Sequence, residues 1–458
     1  MKAGNSANIV ICGAGVAGIS TAYFLATHYG ITDITLVDER DPLSLTSDKS
    51  TECYRNWWPG PGDAMVALMN HSIDLMEELA HESGNIFHLN RRGYLYLTAD
   101  PDRALKLQAE AVYISRLGGG PLRMHTGNPE EADYLSADPY NFTDQPQGAD
   151  LFLGREQIHQ HFPYISQKAI AALHVRRAGW LSAQQLGMYM LERARAQGVR
   201  FLHSRLQRAT VQGGKVKAVH LADGQQIDTP CFINAAGPFL GQVGRMMEVE
   251  IPVFSELHLK ASINDHMGVV PRQAPLLIWT DPQTLPWTDE ERSILAEDAE
   301  TRWMLTEFPA GVHARPEGGK DSPVVLMLWE YHATPLEPTF PPPLDPQYPE
   351  IVLRGLSTML PGLETYLRKT PRPVLDGGYY TKTYENRPLI GPLSVGGAYL
   401  IGALSGFGIM ACCGAGELLA RHIAGDSLPY YAPHFNLNRY QDYEYLHLLK
   451  NWGPSGQL

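Results

Sequence analysis

Three glycines near the N-terminus constrain the fold of this chain more than any other feature. Gly13, Gly15 and Gly18 follow a short apolar run at 8–12 and open a segment, 15–28, whose apolar residues recur at helical spacing. In a strand–turn–helix unit the first glycine permits the tight turn, the second lets the backbone approach a phosphate, and the third lets helix and strand pack closely. The pattern predicts the start of a dinucleotide-binding fold, with N–H groups of the helix facing the phosphates.

An acidic residue completes this unit. The apolar run 34–37 ends in Asp38, which lies 20 residues after Gly18. A carboxylate at this place can accept the hydroxyls of an adenosine ribose, and it disfavours the 2′-phosphate of NADP. The βαβ unit alone therefore predicts a dinucleotide site and leaves NAD and FAD as alternatives.

Bulk properties narrow the class of protein. The 458 residues exceed the ~250–300 that a single core supports, so we expect two domains. The net charge of -12 disfavours nucleic-acid binding, and no apolar run reaches the ~20 residues of a membrane span. The five cysteines are odd in number and lack metal-ligand spacing, so we expect no metal site and a reduced, cytoplasmic compartment. Because the first residues lead straight into a strand, we expect no secretory signal there.

Further segments occur in a specific order along the chain. Residues 178–181 read Ala-Gly-Trp-Leu, 233–238 read Ile-Asn-Ala-Ala-Gly-Pro, and 386–392 read Asn-Arg-Pro-Leu-Ile-Gly-Pro, followed by the glycine-rich segment 399–408. Together with the glycine turn, these blocks resemble the D-amino-acid oxidase family of flavoproteins, which includes glycine oxidase and monomeric sarcosine oxidase. The resemblance covers most of the chain and is strongest in the blocks. It implies that the dinucleotide is FAD.

The resemblance also implies the architecture. We expect an α/β fold, in which an FAD-binding Rossmann-like domain is interleaved with a mixed-sheet α+β substrate domain. The FAD domain would comprise residues 1–90, 155–250 and 372–440, and the substrate domain would comprise 91–154 and 251–371.

FAD-contacting residues are implied in several segments. The glycine turn and the acidic strand end would hold the pyrophosphate and ribose, the loop 46–55 would lie over the flavin, and a strand backbone would contact the adenine. The turn 405–408 precedes a helix expected from Gly414, and its N–H groups would face the carbonyl edge of the flavin. The implied cofactor-binding residues are Gly13, Gly15, Val16, Ala17, Gly18, Asp38, Glu39, Arg40, Ser47, Ser50, Thr51, Leu206, Ala236, Gly237, Gly406, Phe407, Gly408 and Ile409.

Departures from the family pattern concern the covalent tether and the substrate anchors. Some relatives attach FAD to a cysteine just before the C-terminal block, and Gly378 takes that place here, so we expect FAD without a covalent bond. Where relatives anchor a substrate carboxylate with Arg or Lys, this chain has Tyr380 and Met410. Arg55 matches a remaining arginine anchor of sarcosine oxidase, and Tyr380 also matches an active-site tyrosine of that enzyme. The predicted catalytic-site residues are Arg55, Tyr380 and Met410.

The electron acceptor is left open by the resemblance. In sarcosine oxidase the strand that resembles residues 325–332 carries a lysine that promotes reaction with oxygen, and this chain has no lysine there. Oxygen and another electron acceptor are therefore alternatives. Trp57, Trp58, Trp329 and Phe407 predict an aromatic substrate pocket.

The resulting functional hypothesis is oxidation of the C–N bond of a small amine or amino acid. Hydride would pass from the substrate α-carbon to flavin N5 and leave an imine, so that the protein needs orientation and electrostatics but no dedicated base. One alternative is a dehydrogenase of an amine or 2-hydroxy acid that passes electrons to a carrier or quinone. Another is a non-catalytic flavoprotein scaffold, because fold alone does not fix function.

Overall fold

The computed structural model describes residues 5–369 and 371–450. Residues 1–4, where the first segment of the expected FAD domain begins, lie outside the described residues. The strands within the described ranges are β1 (Asn5–Ser6), β2 (Ile9–Cys12), β3 (Ile34–Asp38), β4 (Cys53–Arg55), β5 (Tyr94–Thr98), β6 (Leu122–His125), β7 (Ala149–Leu153), β8 (Ala171–Val175), β9 (Ala178–Trp180), β10 (Arg200–His203), β11 (Leu206–Gln212), β12 (Lys215–Leu221), β13 (Gln226–Asp228), β14 (Cys231–Asn234), β15 (Phe254–Asn264), β16 (Leu276–Trp279), β17 (Val312–Pro316), β18 (Val324–Leu328), β19 (Val374–Lys382), β20 (Leu389–Pro392) and β21 (Ala398–Gly402).

Helices cover these sheets and connect their strands. They are α1 (Val16–His28), α2 (Ala64–Ser83), α3 (Pro101–Ile114), α4 (Arg155–His161), α5 (Ala183–Ala196), α6 (Leu240–Arg245), α7 (Asp289–Glu297), α8 (Tyr348–Met359), α9 (Glu364–Leu367), α10 (Gly408–Ala424) and α11 (Tyr443–Lys450). None of the helices in the described ranges is long and apolar enough to cross a membrane.

A six-stranded sheet carries the glycine turn. Its order is β10-β3-β2-β14-β21-β20, and every pair is parallel except β20 with β21. Its central strands are almost fully buried, as expected for a parallel sheet covered on both faces. Because β2, β3, β14 and β21 run in one direction, their carboxyl ends meet along one edge of the sheet. This is the place where α/β sheets bind ligands.

A nine-stranded mixed sheet forms the other large layer, in the order β19-β15-β18-β17-β16-β5-β8-β7-β6. Alternate residues of a strand point to opposite faces. Leu97, Met327 and Trp329 therefore belong to a core that includes α8, whereas Tyr94 and Ile278 belong to a separate core on the other face. One face of the sheet therefore packs against α8, and the other face packs against β4.

The sheet topology bears on the domain division. The expected boundaries at 155 and 372 cut through the nine-stranded sheet, because β8 and β19 pair within it. We therefore propose that the interleaved domains exchange after β8 and after β19. This proposal assigns each strand to the domain whose sheet it joins, because a domain is a set of elements packed around one core.

Helix α10 begins at Gly408, six residues before the predicted start at Gly414. A Cβ at Gly414 would lie 3.0 Å from Ser72 Cβ, and one at Gly416 would lie 2.8 Å from Ser20 Cβ. These glycines let α10 approach α2 and α1 closely, so they belong to the helix interior. The prediction was wrong because glycine usually marks a helix boundary, and tertiary packing overrode that preference here.

Candidate cofactor and substrate site

Two adjoining cavities open along the carboxyl edge of the six-stranded sheet. Their empty space, which includes the part open to solvent, is about 1060 Å³ and about 620 Å³. The residues that line both cavities join them into one elongated cleft, and they are Gly15, Thr46, Ser47, Ala235, Gly237 and Pro238. We call the larger cavity, which reaches Asp38 and Leu206, the ribose end, and the smaller, which reaches Tyr380 and Gly408, the flavin end.

The glycine turn lies at the centre of this cleft. Gly13 has φ +113°, and a Cβ there would lie 2.8 Å from the carbonyl carbon of Ala235, with its oxygen closer still. A Cβ at Gly18 would overlap the carbonyl group of Gly13, and one at Gly15 would lie 3.1 Å from Ser47 Oγ. Gly13 and Gly15 line the cleft, while Gly18 packs beneath the turn. Gly13 and Gly18 therefore leave no room for a side chain, whereas a Cβ at Gly15 would press on the Ser47 hydroxyl.

The N-terminus of α1 opens into the same cleft. Val16 N donates to Ser47 Oγ at 3.0 Å, the N-cap Gly15 offers no side chain, and the first turn holds no acidic residue. Val16 and Ala17 line the flavin end. Since the first N–H groups of a helix lack internal partners and carry partial positive charge, a pyrophosphate bound in the cleft would fit this helix end.

Asp38 lies at the ribose end, with both carboxylate oxygens in use. Oδ2 accepts from Ala14 N at 2.8 Å and Oδ1 accepts from Arg40 N at 3.0 Å. Burial raises the pKa of Asp38, and these two backbone donors oppose the shift. Each oxygen retains a second lone pair, so the carboxylate can also accept from ribose hydroxyls.

Removing this carboxylate should weaken FAD binding. We expect Asp38→Ala to cost about 1.5–3 kcal/mol of FAD binding free energy, the scale for a hydrogen bond to a charged group. Fluorescence titration of the apoprotein with FAD measures the dissociation constant. Asp33→Ala is the matched control, because Asp33 accepts from Asn8 N at 2.8 Å but does not line the cleft. An equal FAD affinity for both variants would rule out a ribose contact for Asp38.

Other predicted residues also line the ribose end. Glu39, Arg40, Leu206, Ala236 and Gly237 do so. The sequence reasoning missed one side of this cavity, which is formed by Phe239, Gln242, Val243 and Met246. Their spacing of three and four residues is helical, and it could have identified α6 as a wall behind the small-residue strand end.

The flavin end is formed by the turn before α10. Gly406, Gly408 and Ile409 line it together with Tyr380, Thr381 and Ser50. Gly408 is the first residue of the 17-residue helix α10, so the N-terminus of this helix points into the cleft. Phe407 and Met410 do not line either cavity: Phe407 stacks edge-on against Trp58 at 5.2 Å, and Met410 lies in the buried core.

The loop 46–52 is fixed to the nine-stranded sheet. Lys260 Nζ donates to Asp48 O at 2.6 Å, and Arg315 Nε donates to Thr51 O at 2.7 Å. Thr46 Oγ1 donates to Tyr379 O at 2.8 Å. Thr51 therefore lies outside the two cavities as a backbone anchor, whereas Ser47 and Ser50 line the cleft.

A Pro-rich segment of the nine-stranded layer contacts both ends of the cleft. The Phe340 ring lies 5.8 Å from the ring of Phe239 and 5.4 Å from that of Tyr379. The Arg40 guanidinium lies 4.9 Å from the centre of the Phe340 ring. Phe239, Tyr379 and Arg40 all line the cleft. Phe340 therefore packs at the edge of the cleft, between residues of the two large layers.

Arg55 lies beside the flavin end without lining either cavity. It is 3% exposed, its Nε donates to Trp57 O at 3.0 Å, and its guanidinium lies 4.7 Å from the Trp58 ring and 5.6 Å from the Tyr94 ring. Trp58 in turn contacts Phe407. Arg55 is therefore connected through Trp58 to the turn that precedes α10.

The predicted aromatic pocket is only partly assembled. Trp58 and Phe407 meet, and Trp57 is buried nearby. Trp329 instead lies on the opposite face of the nine-stranded sheet, where its Nε1 donates to Pro309 O at 3.0 Å and its ring packs over Gly355. The expectation for Trp329 was wrong because a one-residue difference in strand register reverses the face.

The described residues offer no alternative redox or metal centre. All five cysteines are free, and no group of three or more His, Cys, Asp or Glu side chains within the described ranges is arranged to hold a metal ion. Among the described residues, the cleft is therefore the candidate redox site.

A family model described as FAD dependent oxidoreductase matches residues 8–422. The chain belongs to this family. The predicted relationship to the D-amino-acid oxidase type is confirmed, and a member of this family is an FAD-dependent oxidoreductase. The match spans both large sheets, so it concerns the whole cleft.

Curated relatives and solved structures agree with this assignment. Rat mitochondrial dimethylglycine dehydrogenase is 22% identical over 444 residues, which are 95% of this chain and 45% of the relative. Mouse mitochondrial sarcosine dehydrogenase is 26% identical over 271 residues, which are 56% of this chain and 25% of the relative. The chain thus spans about half the length of the first of these relatives and a quarter of the second.

Two solved structures confirm the predicted fold class. L-proline dehydrogenase from P. horikoshii has a TM-score of 0.71 at 17% identity, covering 96% of this chain and 99% of that one. Glycine oxidase from Geobacillus kaustophilus has a TM-score of 0.71 at 14% identity, covering 94% and 98%. At these identities the likeness establishes the fold alone.

Proposed function

We propose that this FAD-dependent oxidoreductase oxidises the C–N bond of a small amine or amino acid to an imine. The main support is the flavin end of the cleft, which Tyr380 lines together with Gly406 and Gly408 at the start of α10. The names of the relatives support it, because dimethylglycine, sarcosine and glycine are all amines that carry a carboxylate.

In this proposal the chain's residues bind and orient. Bound FAD supplies the hydride acceptor, which is chemistry that the cofactor and not the protein provides. The N-termini of α1 and α10 place backbone donors at the cleft, where they favour negative charge. Tyr380 and Arg55 would orient the substrate, and the contact between Phe407 and Trp58 would support the flavin end from behind. Met410, which is buried in the core, would shape this end of the site only through Phe407 and its own helix.

We also propose that FAD is held without a covalent bond. A Cβ at Gly378, the place of the tethering cysteine in some relatives, would lie 2.6 Å from Lys49 Cβ. Lys49 is fixed there by its ion pair with Asp376 at 2.9 Å. The loop therefore occupies the space that a tethering side chain would need.

Acid precipitation should release the flavin from the purified yellow protein. We expect FAD in the supernatant at close to one equivalent, because no side chain at position 378 can bond to it. Absorbance of the supernatant and of the redissolved pellet is the measurement. Yellow colour retained by the pellet would contradict non-covalent binding.

A dehydrogenase that passes electrons to a carrier or quinone is the second candidate. The curated relatives are named dehydrogenases, and the strand 324–328 carries no lysine. Stopped-flow mixing of the reduced protein with oxygen separates the two candidates, since fast reoxidation favours an oxidase and slow reoxidation favours a dehydrogenase.

Turnover with an artificial electron acceptor tests the proposed function itself. A panel of amines, N-methyl amino acids and amino acids is incubated with the holoprotein and an electron-accepting dye. We expect at least one member to yield a carbonyl compound together with ammonia or a primary amine, the hydrolysis products of an imine. If no member gives product but a 2-hydroxy acid is turned over, the dehydrogenase alternative replaces the proposal. If no compound is turned over, the scaffold alternative replaces it.

A further inference from the structure

A buried histidine lies directly behind Tyr380, and it does not line the cofactor cleft. His258 of β15 is 4% exposed, and its ring stacks on that of Tyr380 with 4.0 Å between centroids and 16° between planes. His258 pairs with Gly378 across the sheet, so His258 and Tyr380 are diagonal neighbours on the two paired strands. Any charge on His258 therefore acts immediately behind the flavin end.

Both ring nitrogens of His258 face carboxylates. Nε2 lies 3.2 Å from Glu256 Oε2, and Nδ1 lies 3.0 Å from Glu330 Oε1. An ionised carboxylate has only acceptors, so both nitrogens must carry hydrogen to satisfy these contacts. Burial opposes the charged ring, but Glu330 and Glu256 outweigh it and raise the pKa of His258. Burial likewise opposes the charge of Glu330, whose pKa the imidazolium lowers to about 2.

The charged groups that act on His258 are Glu330, Glu256 and Lys382. From β19, Lys382 Nζ lies 2.5 Å from Glu256 Oε2. From β17, His313 donates from Nδ1 to Gly311 O at 2.8 Å, and burial lowers its pKa, so it is neutral. The imidazolium and Lys382 thus offset Glu256 and Glu330. Loss of the His258 proton would leave one uncompensated negative charge behind Tyr380.

Tyr380 connects this cluster to the cleft. It lines the flavin end, and among the described residues none forms a hydrogen bond with its hydroxyl. A phenol hydroxyl is a donor that suits a carboxylate oxygen. An anion placed there would experience the net charge behind the ring.

We propose that His258 is a positioning residue whose imidazolium keeps the space behind Tyr380 electrically neutral and so admits a carboxylate-bearing substrate at the flavin end. The inference that the substrate is an amine rests on the proposed function, whereas the inference that it carries a carboxylate does not. For unit charges about 8 Å apart at an effective dielectric constant of about 20, one uncompensated charge changes an anion's binding constant by roughly 30-fold.

Acetate binding to the oxidised holoprotein tests the proposal without any turnover. Acetate is titrated from pH 6 to pH 9, and the change in flavin absorbance gives its dissociation constant. The charge-assisted affinity should be fully present at low pH and fall as the pH rises through the raised pKa of His258. His258→Asn should weaken acetate binding by roughly tenfold or more at pH 7.5, since it leaves Glu330 uncompensated.

A compensated variant separates charge from packing. The double variant His258→Asn/Glu330→Gln restores neutrality with nearly the same volumes, so acetate should bind with close to wild-type affinity and without the pH dependence. His220→Asn is the matched control and should change nothing, because His220 lies in β12, which belongs to a separate four-stranded sheet with β1, β13 and β11. Unaltered acetate binding in His258→Asn, or a double variant no better than the single one, would overturn the proposal.

Glu330→Gln provides a second test if the His258→Asn protein does not retain FAD. Without its carboxylate partner His258 should lose its proton at lower pH, so the fall in acetate affinity should move to lower pH. An unmoved profile would overturn the proposal. If acetate binding depends on His258 as expected but no amine reduces the flavin, the proposed function fails and the positioning role of His258 stands.

Discussion

The Gly13→Ala variant is expected to lose FAD binding and a large part of its folding stability. Gly13 has φ +113°, and the added Cβ would lie 2.8 Å from the carbonyl carbon of Ala235 at the centre of the cleft. The unfavourable φ and the overlap each cost roughly 1–3 kcal/mol, so unfolding free energy should fall by roughly 2–6 kcal/mol. Because Ala235 lines both cavities, any shift that relieves the overlap also displaces the cofactor site.

Gly30→Ala is the matched control for this prediction. Gly30 has φ +64°, but a Cβ there would meet nothing within 4 Å, so only the backbone cost applies. Urea denaturation measures stability, and fluorescence titration of the apoprotein measures FAD affinity. If Gly13→Ala retained FAD as well as Gly30→Ala, the close approach of β2 to β14 would not define the cofactor site.

Arg55→Met is expected to have the second large effect. If Arg55 orients a substrate carboxylate, its loss leaves that charge unpaired in a partly dry site at a cost of ~2–5 kcal/mol. Affinity for acidic substrates should fall by roughly one and a half to more than three orders of magnitude. Neutral amines should be affected little, and lysine should rescue only in part because it lacks the planar fork. The concentration dependence of flavin reduction gives these affinities.

A second buried arginine provides the comparison. Arg354 is 4% exposed and lies 3.8 Å from the centre of the Trp287 ring; its helix α8 packs against the face of the nine-stranded sheet that carries Trp329. Arg354→Met should lower the melting temperature without changing substrate affinity. If Arg55→Met behaves in the same way, Arg55 is an anchor for Trp57 and Trp58, and uncharged amines become the substrates to examine.

The cofactor end of the site could be predicted from sequence because its signals are local. Gly13, Gly15, Gly18 and Asp38 belong to one βαβ unit, in which a turn, a helix start and a strand end have fixed spacing. The structure places all but Gly18 along the cleft, and Gly18 directly beneath it. The spacing of these positions follows from the backbone geometry of that unit, although the close approach of Ala235 to Gly13 comes from the distant strand β14.

The substrate side could not be predicted in the same way because it is assembled by distant strands. His258 and Tyr380 meet because β15 pairs with β19, and no local pattern specifies that pairing. Trp329 lies on the outer face of its sheet for the same reason, since alternation along a strand does not say which face is inside. Gly414 was misjudged because its role is a contact with α2, which is far away in sequence.

Anaerobic reduction of the flavin tests the central claim most directly. The holoprotein is mixed without oxygen with matched pairs of compounds, each an amino acid and the 2-hydroxy acid of the same carbon skeleton, and flavin absorbance is followed. We expect that at least one amine bleaches the flavin, that its hydroxy counterpart does not, and that deuterium at the α-carbon slows the bleaching. Bleaching by the hydroxy acid instead of the amine, or by no member of any pair, would contradict it.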